Sequence, residues 1–400
     1  MKTRYAYIDW VIPNTDVQVR MGLQPYALPG FVAASPILGN PVDGAGITVS
    51  AQFTENVGAT LFWMRAENTD DLNHDALDLV GLTVPVTFDG VKVTPWAMAA
   101  FVGKNSLAEW GHLGYDTDDW GYAIDRGNGW KNPTGDQLRV ASGLLPAWGV
   151  IPNDMFVNIT DADDDHGDVW WLGFTGELTM FDPIRIAWDA AYGSADFGSY
   201  SGFDIKRAGW YVAGLAQYKM DFMTPGLMLF YASGDDDNPN DGSEQIPNID
   251  GGWNASSFGF DGGVYGAAAV VKMSDTIAGL WGIQLRFDDI SYMEDLKHDL
   301  RVAYYTGTND SKLVKDYGGF LPLAGASAAA PLRAGSQGLY LTDKDHAFEV
   351  NFDTDYMIYK DLKLTVELGY INLDLDSSVW EDNNLDKNAY KAGAYLTYNF

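Results

Sequence analysis

The residues best able to do chemistry in this chain are carboxylates and basic side chains, and their spacing decides what they can do. Asp161, Asp163, Asp164, Asp165 and Asp168 crowd one stretch, and Asp235, Asp236, Asp237 and Asp241 another. Such oxygen-rich runs suit Ca2+, with Asp161, Asp163, Asp165, Asp235 and Asp237 as candidate ligands. Neither run has EF-hand register, so a solvated acidic loop is the simpler reading. Enough carboxylates exist for a glycosidase pair, but nothing in the sequence sets two of them at catalytic separation. The histidines (His74, His112, His166, His298, His346) show no i, i+4 pair and no His-x-Glu spacing, so a zinc centre lacks support. Gly198-Ser-Tyr-Ser-Gly202 carries Tyr where a nucleophile elbow needs Ser, and Gly44-Ala-Gly46 lacks the third glycine of a dinucleotide loop.

The basic residues are more telling. Arg20, Lys92, Arg185, Lys219, Arg286, Arg301, Lys363 and Lys391 each sit on the polar parity of an alternating segment whose other parity is apolar. Facing lipid, each would cost roughly 2–4 kcal/mol near the midplane. They are therefore expected to face a wet interior. Mid-strand Arg20, Arg185, Arg286 and Arg301 carry this reading best, with Lys92 beside them. Lys219 and Lys391 fit snorkelling at strand ends.

The elements that position these residues are strands. From Tyr390 to Tyr398 every second residue is Tyr, Ala or Leu, opposite Lys391, Gly393, Tyr395 and Thr397, and Phe400 closes the apolar parity. A soluble edge strand of this kind would be adhesive, whereas barrel closure removes the edge. Strand-like runs, most with the same alternation, recur over Arg4–Ile12, Val17–Leu23, Ile47–Phe53, Val57–Arg65, Leu77–Phe88, Val91–Val102, Val169–Phe181, Ile184–Tyr192, Gly209–Met220, Leu227–Ala232, Trp281–Phe287, Leu300–Tyr304, Phe348–Tyr356 and Leu362–Tyr370. Tight connections such as Asp89-Gly90 alternate with long polar ones, the longest being Lys104–Asp168. Val264–Met273 suits helix or strand equally. The runs number about fifteen, which leaves residue 1 on the long-loop side, whereas bacterial barrels have even strand numbers. One or more N-terminal strands are thus expected beyond Met1, and no signal peptide is visible at the N-terminus.

Composition narrows the function. A net charge of −30 speaks against nucleic acid as a partner. The absence of cysteine removes disulfides and thiolate chemistry. No run of 18 apolar residues marks a membrane helix, a test that barrels escape.

The terminal aromatic strand, the turn–loop rhythm and the single very long loop together resemble bacterial outer-membrane trimeric porins of the general diffusion type. That resemblance implies an all-β, transmembrane, antiparallel up-and-down barrel of about 16 strands (14–18), one domain over residues 1–400. It implies a long loop over 104–168 folded inward, setting acidic groups across from wall cations. Asp116, Asp118, Asp119, Asp125 and Asp136 would form the acidic side, and Arg20, Arg185, Arg286 and Arg301 the basic one. It further implies a homotrimer in the Gram-negative outer membrane, with the lipid bilayer and lipopolysaccharide as partners. Small hydrophilic solutes and ions would diffuse passively through a water-filled channel, with no catalysis and no required cofactor. Two other readings stand beside it. One is a sugar-specific channel using Trp96, Trp120 and Trp130 for stacking; the other is a secreted all-β carbohydrate-active enzyme.

Overall fold

Alternating sequence becomes sheet because each strand can bury one parity and expose the other. The computed structural model describes residues 5–39, 42–67, 76–103, 143–146, 167–200, 203–253, 277–317, 340–380 and 387–398. Sixteen strands form one antiparallel, up-and-down sheet. The first eight are β1 (Ala6–Val11), β2 (Val17–Tyr26), β3 (Val42–Gln52), β4 (Gly58–Glu67), β5 (Leu77–Thr83), β6 (Val86–Phe88), β7 (Val91–Val102) and β8 (Asp168–Phe181). Then come β9 (Ile184–Tyr200), β10 (Phe203–Tyr218), β11 (Thr224–Ala232), β12 (Leu280–Met293), β13 (Leu296–Gly307), β14 (His346–Tyr359), β15 (Leu362–Asp374) and β16 (Lys387–Tyr398). Among the described residues, the short helices α1 (Ser311–Tyr317) and α2 (Ser377–Trp380) lie in the connections.

The sheet curls into a barrel. The segment after β2 lands on the inner face of β9, where Phe31 and Val32 donate their backbone N–H groups to Asp189. β5 and β6 both pair with β7 and make up one crossing. Pro85, which has no N–H to give to a ladder, sits at the break between them. An even number of antiparallel steps therefore separates β1 from β16, and the two run in the same direction. The β9–β10 hairpin is longer than alternation suggests, pairing Tyr200 with Phe203. Gly193, Ser194, Ala195 and Gly198 hide its period because small residues do not mark a face.

Short turns gather at one end of the barrel, and the connections at the other are long except the two-residue one between β9 and β10; these are here the turn end and the loop end. The expected parity holds around the wall. Leu61, Trp63, Phe174, Trp210, Leu229, Leu285 and Leu396 point outward and are exposed. Gln24, Met98, Trp171, Leu215, Met228, Glu349 and Glu367 point inward and are buried. Phe400 and Val264–Met273 lie outside the described residues, as does most of 104–168.

Candidate functional site

Near the turn end the inner wall carries a continuous chain of charged and polar side chains. Lys92 on β7 pairs with Glu177 on β8 at 2.9 Å, and Arg185 on β9 takes the other oxygen of Glu177 at 2.8 Å. Arg185 also donates to the Gln217 side chain on β10, whose amide donates to Asp288 on β12 at 3.0 Å. Asp288 holds Arg286 at 2.6 Å and lies 3.6 Å from Arg301 on β13, which reaches Asp299 at 3.7 Å. Gln217 bridges to Asp288 past β11 because Gly226 stands there without a side chain. A Cβ at that position would meet Gln217 Cγ at 2.8 Å and Arg286 Cγ at 3.2 Å.

Four of the basic residues picked out by parity, Lys92, Arg185, Arg286 and Arg301, thus meet in one chain. Arg20 does not join it. It faces inward on β2, forms a two-pronged pair with Asp9 on β1 at 2.6 and 2.8 Å, and stacks its guanidinium over the Tyr7 ring. Lys363 pairs with Asp355 at 3.0 Å. Lys391 does not snorkel: it is 8% exposed and pairs with Glu367 at 2.7 Å inside the wall. Lys219 lies in the exposed turn after β10. The partners of these cations are wall residues. Glu177, Asp288, Asp299 and Gln217 share the cations' parity, a signal present in the sequence but usable only with strand register known. Asp116, Asp118, Asp119, Asp125 and Asp136, expected opposite them, lie outside the described residues, as do Trp120 and Trp130.

Toward the loop end the same inner face turns apolar and is packed from inside. Leu79, Met98, Trp171, Phe197, Met228 and Phe230 from the wall meet Leu28, Ile37, Leu38, Ile249 and Trp253 from the connections, all buried. Residues 27–39 form an inward strap. Asp189, 3% exposed, accepts N–H bonds from Phe31 and Val32 at 2.8 Å and from Ala33 at 3.4 Å. Arg185 donates to the Phe31 carbonyl at 2.9 Å, so the strap is moored to the charged chain itself. A second inward segment lies alongside. The amides of Ile249 and Asp250 donate to the Ile37 carbonyl, Gly39 donates to Asp250, and Trp171 donates from its indole to Pro247 at 2.7 Å. From the long 104–168 loop only 143–146, 167 and 168 are described, Asp168 as the first residue of β8. Leu144 is fully buried, and the Gly143 carbonyl accepts from the Asn248 backbone.

Beyond the wall, two of the candidate calcium ligands are otherwise engaged. Asp235 is buried and accepts from Ser243 at 2.5 Å and Tyr340 at 3.0 Å, while Asp237 pairs with Lys312 at 3.0 Å. The carboxylates that gather instead belong to Asp236, Asp241 and Glu244, whose nearest oxygens lie within 4.8 Å of one another. Burial pushes the Glu244 carboxyl up to about 7, and Asp235, Asp236 and Asp241 add repulsion. Asp161, Asp163 and Asp165 lie outside the described residues.

No protein-family model matches the chain, and no curated protein does. Among solved structures it is similar to OccK11 (OpdR) of Pseudomonas aeruginosa, at 12% identity and a TM-score of 0.45, over 96% of this chain and 77% of that one. It is similar to OccAB3 of Acinetobacter baumannii at 12% identity and a TM-score of 0.45, over 96% and 74% of the two chains. It is also similar to Wzi of Escherichia coli, a carbohydrate-binding outer-membrane barrel, at 10% identity and a TM-score of 0.47, over 99% and 70%. Likenesses this distant lend no weight to a function, which rests on the chain's own residues.

Proposed function

We propose that this chain is an outer-membrane channel through which small hydrophilic solutes and ions pass by diffusion. One observation carries the reading. The charged chain from Lys92 to Asp299 lines the inside of the barrel, while the outside presents apolar side chains at matching depth, including Leu227, Leu229, Ile283 and Leu285. Water has a reason to enter such a barrel and lipid a reason to surround it. Opposed charges fixed on the wall order water and favour polar solutes without chemistry or energy input. A secreted carbohydrate-active enzyme would not leave so many large apolar side chains exposed around a full barrel wall. A homotrimer seated among lipopolysaccharide in the Gram-negative outer membrane belongs to the same proposal.

Within this reading, the filled loop end favours a substrate-selective channel over an open general-diffusion one, because the strap and its neighbour occupy the space that a wide pore needs. Planar-bilayer recording tests both. The proposal expects detergent-dependent extraction and stepwise conductance, in triplets if the channel is a trimer. Solubility without detergent and a silent bilayer would overturn it. Small, solute-blocked steps would support the selective form, and large steps indifferent to solute the general one.

A further inference from the structure

Beneath the strap runs a crevice between the inner wall and residues 29–37, lined by Pro29, Ser35, Pro36, Trp96, Asp189 and Tyr211. Two of these side chains are donors without a partner among the described residues: the Trp96 indole N–H and the Tyr211 hydroxyl. They are 5% and 2% exposed. Burying such groups unpaired is costly, and a fold normally pairs them. Both are held rigidly. The Trp96 indole lies on Gly173, where a Cβ would come 2.0 Å from the ring, and the Tyr211 ring packs edge-on against Trp253 at 5.5 Å. Asp189, on the same crevice, spends its carboxylate on the strap's own amides.

We propose that this crevice is a saccharide subsite and that the strap is the lid a sugar displaces. A hydroxyl matches the wall's chemistry: it accepts from Trp96 and Tyr211 and donates to Asp189, replacing the amides of Phe31, Val32 and Ala33. The flat apolar flank of a sugar ring suits Pro29, Pro36 and the indole face. A carboxylate or phosphate meets repulsion from Asp189. The inference deepens the selective form of the channel reading and depends on that reading only for the route by which sugar arrives.

The test is calorimetric binding of glucose and gluconate to the full chain refolded in detergent, with planar-bilayer recording alongside. Glucose is expected to bind more tightly than gluconate. Tyr211→Phe, which keeps the ring and removes the donor, is expected to weaken glucose binding about tenfold, and Trp96→Phe by a similar factor. Trp188→Phe, whose indole faces outward, serves as the control. Glucose binding unaffected in the Tyr211→Phe, Trp96→Phe double variant, or gluconate binding as tight as glucose, overturns the subsite. Calorimetry does not require conduction. Sugar binding lost in the double variant alongside a silent bilayer upholds the subsite and sinks the channel reading, whereas conduction without sugar binding does the reverse.

Discussion

On the inner face of β7–β12, Met98, Trp171 and Phe230 at the loop end lie against a filling of Ile37, Leu38, Ile249 and Trp253. Further along these strands the same parity carries Lys92, Glu177, Arg185, Gln217 and Asp288, tied to one another side by side. One half of the lumen excludes water by packing; the other keeps charge by pairing it. The comparison separates two tasks that one wall performs. For the proposed channel, the packed half would set how much space remains, and the charged half what sign and polarity tolerate that space. Asp189 and Arg185 join them, since both hold the strap and Arg185 is also a member of the charged chain.

The sharpest way to break this contrast is to hollow the packed half. Trp253 is 1% exposed and touches Tyr211 and Phe230 edge-on, so Trp253→Ala should cost about 3–5 kcal/mol, read as a lower midpoint of heat or denaturant unfolding. It should also enlarge single-channel conductance; unchanged conductance would mean that the filling does not narrow the path. Next in size is Gly226→Ala, which presses a methyl between Gln217 and Arg286 and should cost about 1–3 kcal/mol.

Within the charged half, Arg286→Gln together with Arg301→Gln should move the reversal potential toward cations, at a stability cost of about 1–2 kcal/mol. Arg20→Gln, whose pair with Asp9 is about a third exposed, should change stability by no more than about 1 kcal/mol and selectivity less. Equal reversal shifts from the two sets would erase the distinction between the chain and the isolated pair.

The smallest expected effect is pH-dependent and lies outside the wall. Folding raises the Glu244 carboxyl from its usual 4.5 to about 7, so the folded loop keeps a proton that the unfolded chain has released. Stability of that loop is therefore greatest at acid pH and falls as pH climbs through this window. Glu244→Gln should flatten the dependence, as followed by amide hydrogen exchange over 233–253. A slope that survives the substitution would assign it to another group.

How much of this was legible in the sequence depends on where along the barrel one looks. Near the turn end, arginines opposite Ile, Leu and Phe mark both faces, so Arg185, Arg286 and Arg301 could be placed inside from parity alone. Near the loop end both faces are apolar. Ala97, Ala99 and Phe101 alternate with Met98, Ala100 and Val102, and period two then carries no contrast. The strap lay hidden for a different reason. An aperiodic stretch rich in Pro and Gly reads as a connection, although Leu28, Phe31, Val32, Ile37 and Leu38 are too apolar for a loop in water. The mooring of that strap to Asp189 spans 158 residues between Phe31 and its acceptor, a separation no local pattern reports. Glu177 and Asp288 needed register, because a carboxylate's partner lies across strands and not along one.

The bare position at Gly226 has a mechanical consequence. Backbone ladders tie each strand only to its immediate neighbours, so a barrel under them alone can ovalise by small rotations at every pair. The Gln217–Asp288 link reaches over a strand and works as a stave hoop, putting the β10–β12 arc under tension whenever the wall tries to splay. Strand number and shear set the bore; the link adds about 1 kcal/mol against splaying of this one arc.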